Sequence, residues 1–372
     1  MQKKYIMNKI LIGCLLLITI SMNALSQVIG LAQGLISSQD LFNTSLNTSM
    51  NNSGSCYRIP SLLKAPNGDL IAAIDERNLS CDDLRTHKNI NIVTRKSKDN
   101  GKTWSAIRTV IDFPFGSSAS DPSMISDNQT GTVFLFYNYM DLNKEKDIYY
   151  IHVVKSTDNG ETWSKPEDIT AQISKPEWKK DFKFVTSGKG TQTASGLLLH
   201  TLVNLNSGLH IFGSNDHGKT WFFKDTPIMP ADESKIIELI DGSWMVNSRV
   251  NKLGMRVVHI SKDEGKTWLS RNETSLVDPA CNGAIVRYQS KKYGNLLLFS
   301  NPNSKDGRKN LTIKVSTDEG KSWTAGKTIY GGAAAYSDIE VLKNGDIGVF
   351  FEKEEYKENV FVRFSMKWLT GK

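Results

Sequence analysis

The sequence is poor in cysteine, histidine and proline, with 4, 6 and 10 respectively in 372 residues. Cys56, Cys81 and Cys281 follow the N-terminal segment described below, and an odd number is no disulfide framework. Cys56 and Cys81 can pair in an exported protein, and the sequence leaves that open. No Cys/His group has zinc spacing. Neither a metal nor any other cofactor is expected. The net charge is +7, yet no run of Lys or Arg occurs. Residues 1–26 hold Lys3, Lys4 and Lys9 and no acid, so a chain trimmed there carries +4. That argues against a nucleic-acid partner and leaves a mild field suited to an anionic substrate. The one long apolar run, Ile10 to Ile20, is too short to span a bilayer. Helical periodicity is missing except around Pro176 to Asp181.

The N-terminus reads as a signal for export. Basic Lys3, Lys4 and Lys9 precede the apolar run, and Ala24-Leu25-Ser26 offers small residues for cleavage before Gln27. Leu11-Ile12-Gly13-Cys14 resembles a lipoprotein box, but most of the apolar core lies after Cys14 rather than before it. The expectation is a secreted or periplasmic protein without a stable membrane anchor.

What the sequence has in abundance is one repeated turn. Ser261 to Trp268 reads SKDEGKTW, and near-copies start at Ser97, Ser156, Ser214 and Ser316. The pattern is S-x-D-x-G-x-[TS]-W, and successive copies start 59, 58, 47 and 55 residues apart. A period of this size marks a repeat architecture. Asp bonds its own nearby backbone and Gly supplies positive φ, so each copy suits a tight turn. Strand-like runs precede the copies, for example Ile90 to Lys96 and Leu311 to Val315. Each Trp is expected to plug its own turn, a folding device without chemistry.

From Arg58 a larger unit recurs: a leading hairpin, a third strand, the Asp-Gly-Trp turn and a fourth strand. The first hairpin turns at Pro66-Asn67-Gly68, and others turn near Asn128 to Gly131, Ser195-Gly196, Asp241-Gly242, Lys292 to Gly294 and Asn344-Gly345. That makes six leading hairpins for five Trp turns. The sixth unit closes on the alternating stretch Val360 to Trp368, and a short strand near Asp40 to Asn43 supplies its missing outer member. The fold class is therefore all-β, a six-bladed β-propeller. The division is residues 1–26 as signal peptide, 27–54 as lead-in and closing strand, and 55–372 as the propeller.

Certain charged residues do not fit a strand role. Arg58, Arg256 and Arg308 stand at or just before strand starts, Tyr336-Ser337-Asp338 opens the last hairpin, and Arg77, Asp82 and Asp83 are placed in the loop after the first hairpin. Asp121 sits in Ser-Asp-Pro-Ser, Glu238 interrupts the run Ile236-Ile237-x-Leu239-Ile240, and Glu352 ends Val349-Phe350-Phe351. Singly, each reads as a solvated edge residue or a structural ion pair, because a lone buried charge is costly. Together they occupy corresponding strand starts in different blades, which converge on one end of the axis. Three Arg forks grip one carboxylate. A Tyr beside a Glu is an activated phenol, and a loop Asp is a general acid. A neutral phenol also avoids the repulsion that a carboxylate nucleophile meets when the anomeric carbon bears a carboxylate.

Over roughly residues 55–372 the sequence resembles the bacterial-type exo-α-sialidase (neuraminidase) family with Asp-box repeats. Arg58-Ile59-Pro60 is similar to the family's first-arginine motif, and Asp82, 24 residues on, to its acid/base. Arg256, five before Ser261, and Arg308, eight before Ser316, are similar to the second and third arginines. The resemblance makes Tyr336 the nucleophile, Glu238 its partner acid, Glu352 the brace of Arg58, and Arg77 with Asp121 the pair near the substrate's 4-hydroxyl. Asp83 competes with Asp82, and spacing favours Asp82. The implied protein is a monomeric retaining exo-α-sialidase acting on sialylated glycoconjugates. A trans-sialidase shares every catalytic residue, and a non-catalytic Asp-box lectin needs neither Tyr336 nor Asp82.

Overall fold

The structure is a computed structural model that describes residues 30–46 and 53–372. The expected signal peptide falls outside the described residues. Six blades of mainly antiparallel strands follow one another along the chain, in five sheets because the last two blades are continuous. Blade 1 is Ser55–Lys64, Leu70–Asn78, Ile90–Ser97 and Arg108–Ile111, ordered from axis to rim. Blade 4 repeats this plan with Ser234–Glu238, Trp244–Ser248, Met255–Ser261 and Leu269–Val277. The innermost strand of blade 1 packs against those of blades 2 and 6, which closes the ring.

Two blades share one long strand. The first part of Lys327–Val341 pairs with Lys309–Ser316 as the rim of blade 5, and the rest pairs with Ile347–Lys353 as the inner strand of blade 6. Blade 6 is completed from the other end of the chain, since Ser37–Asn43 runs antiparallel to Glu358–Phe364 with Ser37 opposite Arg363. The closing stretch is shorter than its alternation suggests. The strand ends at Phe364, and Ser365 caps a short helix, Met366–Thr370, by accepting from Trp368 N at 3.1 Å.

The repeated turns show why their residues recur. In Ser261 to Trp268 the Ser261 hydroxyl donates to Asp263 at 2.8 Å and accepts from Gly265 N at 2.7 Å. Asp263 also accepts from Thr267 N at 2.9 Å and Thr267 Oγ1 at 2.6 Å. The turn needs positive φ, which Gly265 supplies at +81°. In Asp-box 2 the equivalent glycine, Gly160, stands where a Cβ would meet the Ile71 side chain of blade 1 at 2.6 Å, so the turn also buttresses its neighbour. None of the five box tryptophans lines the axial cavity described next.

Among the described residues no helix is long and apolar enough to cross a membrane.

Candidate active site

The site lies where the inner strands begin. Three of those strands carry a bulge at that end, between Arg58 and Ser61, Ser120 and Ser123, and Ala334 and Ser337. A bulge inserts a residue and re-aims its side chain. Two bulges hold non-glycine residues at positive φ, Ile59 at +70° and Asp121 at +62°. Backbone this unfavourable persists only where surrounding structure enforces it, and such positions cluster at functional sites. The resulting cavity has a volume of about 420 Å³ and includes Arg58, Asp83, Asp121, Glu233, Arg249 and Tyr336 in its wall.

Tyr336 is the centre of this set. Its buried hydroxyl donates to Glu233 Oε1 at 2.5 Å, and Arg249 Nη1 lies 3.3 Å from the same hydroxyl. Arg249 also forms an ion pair with Glu233 and lies 3.7 Å from Asp232. Glu352, fully buried, accepts from Arg58 Nε at 2.7 Å and from Ile59 N at 2.9 Å through one oxygen. Its other oxygen accepts from Tyr336 N at 3.0 Å. One carboxylate therefore fixes an arginine and the backbone of the tyrosine together. Arg308 donates to Ala280 O at 3.1 Å, and its guanidinium lies 5.3 Å from the Tyr336 ring centre.

The expected residues divide into two groups. Arg58, Arg308, Asp121 and Tyr336 line the cavity, with Glu352 directly behind. Glu238 does not reach Tyr336. It ends the inner strand Ser234–Glu238, while the cavity lies at that strand's start. Four residues of strand separate the ends by roughly 13 Å. Glu238 accepts from Ala194 N at 2.6 Å at the opposite mouth of the axis. The acid on Tyr336 is Glu233, immediately before that strand.

Arg256 is corrected as well. It is fully buried, and all its donors are taken: Nε by Asn247 Oδ1, Nη1 by Asp278 and Cys281 O, and Nη2 by Glu233 O and Asn247 O. A guanidinium has five N–H groups, so none is left for a ligand. The third cavity arginine is Arg249, and Arg256 supports Glu233 from behind through its backbone.

Arg77 is buried outside the cavity wall and bonds Asp75 at 3.0 Å and Asp83 at 2.6 Å. Both loop acids are exposed, but Asp83 lines the cavity and Asp82 lies outside its wall. The Cys56–Cys81 disulfide is formed, and Cys281 is free and buried. An apolar side of the cavity, Tyr149, Phe182, Phe184 and Leu205, has no counterpart in the sequence reading. Phe182 packs with ring centres 4.7 Å apart on Tyr149, which directly precedes the third strand of blade 2, Tyr150–Ser156.

Arginine charge beside Tyr336 acts to lower its phenol. Burial and the Glu233 charge instead raise it well above its ordinary value, against the opposing pull of Arg249 and Arg308. Tyr336 thus holds its proton until a base takes it. Partial burial would raise Asp83, but the Arg77 guanidinium outweighs this and holds it below the ordinary carboxylate value. Asp121 is raised by burial and by the charge of Asp75, itself raised by burial against the pull of Arg77. Among the described residues no cluster of three or more His, Cys, Asp or Glu is arranged to hold a metal ion.

Residues 83–349 match the family model described as a BNR repeat-like domain. A sialidase from Micromonospora viridifaciens is 32% identical over 348 residues, covering 85% of this chain and 52% of the relative. A sialidase from Bacteroides fragilis is 30% identical, covering 80% of this chain and 60% of the relative. The chain thus spans little more than half the length of these two relatives. The solved structure of the Hadza microbial sialidase Hz136 superposes with a TM-score of 0.78 at 27% identity, over 84% of this chain and 66% of that one. An intramolecular trans-sialidase from Ruminococcus gnavus shares the fold, with a TM-score of 0.75 at 22% identity over 91% of this chain and 99% of that one. With six blades, five Asp-box turns and this match along most of its length, the chain belongs to the BNR-repeat family that contains the sialidases.

Proposed function

We propose that the protein is an exported, retaining exo-α-sialidase that hydrolyses terminal sialic acid from glycoconjugates. The observation that carries this is the 2.5 Å bond from Tyr336 to Glu233 inside a ring of Arg58, Arg249 and Arg308. The three guanidiniums take the substrate's carboxylate. That seats the anomeric carbon against the Tyr336 hydroxyl. A cavity of about 420 Å³ is of the size that takes a single sugar.

The chemistry follows from the protonation states. Tyr336 Oη attacks the anomeric carbon as Glu233 takes its proton, so a phenolate never waits in the resting site. The glycosidic oxygen leaves with a proton from an aspartic acid of the Asp82–Asp83 loop. The same aspartate then deprotonates a water that displaces the phenolate, and Glu233 returns the proton. Two inversions retain the α configuration.

The test is a fluorinated sialosyl fluoride, which accumulates the covalent intermediate, followed by peptide mass spectrometry. The label is expected on Tyr336, with α-sialic acid formed first by NMR. A label elsewhere, or β-sialic acid first, overturns the mechanism. Lactose added as acceptor reveals any transfer in place of hydrolysis.

A further inference from the structure

We propose that the Cys56–Cys81 disulfide is a positioning device for the proton donor: it fixes the Asp82–Asp83 loop at the cavity, so that the oxidised protein alone acts efficiently on leaving groups that need protonation. This rests on the sialidase reading. Cys56 is fully buried on the inner strand of blade 1, paired across the ladder with Arg77. Its side chain faces the same way as that of Arg58 two residues on, because strand side chains alternate. Cys81 directly precedes the two acids, and its Cα lies 5.3 Å from that of Cys56. The bond thus ties the acid loop to the strand that presents the first arginine.

The need for such a tie is visible in the loop. Residues 79–89 contain neither helix nor strand. The acids' end is held by Arg77 Nη1, which faces Cys81 O at 2.9 Å, Asp82 O at 3.1 Å and Asp83 Oδ1 at 2.6 Å. One guanidinium nitrogen carries two hydrogens, so it cannot satisfy three acceptors fully at once. The three acceptors on Arg77 Nη1 can therefore trade partners at the acids, although Thr86 N and His87 N donate to Asp83 O and Leu84 is buried, and the covalent link at Cys81 removes that freedom. A proton donor must sit within hydrogen-bond reach of the leaving oxygen, and small displacements are costly.

Cys81 is exposed, which makes the bond accessible to a reductant. A dithiol attacks Cys81 Sγ as thiolate and expels the Cys56 thiolate, and its second thiol then releases Cys81. The protein gains two electrons and two protons while the dithiol becomes a cyclic disulfide. Tyr336, Glu233 and the three arginines are not touched by this step.

The experiment compares two substrates on the native protein, the protein reduced with dithiothreitol, and the Cys56→Ser/Cys81→Ser variant. One substrate is sialyllactose, whose sugar leaving group needs an acid. The other is an aryl sialoside, whose phenol leaves unaided. Reduction and the double variant are expected to lower the sialyllactose-to-aryl ratio of kcat about tenfold or more, part of the ~10²–10⁴ that a general acid supplies. Reoxidation of the wild-type protein should restore it. A ratio within about twofold of native in the reduced protein shows a merely structural bond and overturns the proposal. So does fully active protein whose Cys56 and Cys81 peptides are unlinked by mass spectrometry. If the double variant fails to fold, the reduced wild-type protein gives the same reading. Native protein inactive on both substrates defeats the sialidase reading, and this inference falls with it; native activity with an unchanged ratio defeats this inference alone.

Discussion

Glu233 accepts the Tyr336 hydroxyl at 2.5 Å and at the same time pairs with Arg249. One carboxylate therefore takes the phenol's hydrogen bond and the guanidinium's ion pair together. Glu233→Gln keeps the shape and removes the base. Its kcat is expected to fall by the ~10²–10⁴ of general acid–base catalysis. Glu238→Gln, at the far mouth of the axis, should leave kcat and KM near wild type. A large kinetic loss in Glu238→Gln with an intact fold would return the partner role to that residue.

The two blade-4 arginines separate by assay. Arg249→Lys keeps charge in the cavity but loses the planar fork, and a charged hydrogen bond contributes about 1.5–3 kcal/mol. At least a tenfold drop in kcat/KM is expected, with Tm little changed. Arg256→Met leaves Asp278 buried and unpaired, which costs about 3–5 kcal/mol of stability. Calorimetry should show a large fall in Tm. A stable Arg256→Met protein that has lost only substrate affinity would place Arg256 in the clamp after all.

The blade count, the closing strand and the end of the axis that carries the site were legible because they follow from periodicity. Six turn signals and five Trp boxes repeat regardless of function. Tyr336 and Arg58 were legible as polarity or charge on inner strands, and Arg308 as charge just before the third strand of blade 5. Glu233 carries no such signal in the sequence, whereas Glu238 stands out by interrupting an apolar run. Strand direction puts that position at the wrong end, and Glu233, one residue before the strand, satisfied the convergence rule all along. Arg249 and Arg256 both lie near the cavity end of blade 4, at the end of one strand and the start of the next. Only packing decides between them: Asp278 and Asn247 take up Arg256 from sequence distances that no local pattern reveals. The apolar wall of Tyr149 and Phe182 was illegible for the same reason.

The loop acids also part company. Asp83 lines the cavity but is paired with Arg77, which suits it to hold charge rather than to give a proton. Asp82, exposed beside it and without an ion-pair partner among the described residues, is the proposed donor. Asp82→Asn should slow sialyllactose far more than an aryl sialoside. Asp83→Asn should slow both alike by loosening the loop from Arg77. If the leaving-group dependence appears in Asp83→Asn and not in Asp82→Asn, the two roles exchange.

Asp121 gives a prediction in pH. Asp75, Asp83 and Asp121 surround Arg77, so three carboxyls face one guanidinium. Asp121 accepts from Asn138 Nδ2 at 3.0 Å, and its backbone N–H donates to Asp75 at 2.9 Å. Burial first, then the charge of Asp75, raises its carboxyl above the ordinary value. The unfolded chain releases that proton near pH 4, whereas the folded protein keeps it to higher pH. Over that interval the folded state binds more protons than the unfolded state, so stability falls as pH rises. The stabilisation is full below the unfolded value and is lost as pH climbs through the folded one. Asp121→Asn keeps an acceptor for Asn138 and carries no charge. The Tm of wild type should therefore drop more steeply than that of Asp121→Asn between acid and mildly alkaline pH. In the pocket, the protonated carboxyl can donate to a sugar hydroxyl, as can the Asn amide. KM is then expected to rise on the alkaline side for wild type and to stay level for Asp121→Asn. Parallel Tm and KM profiles for the two proteins would show that Asp121 is already ionised at neutral pH.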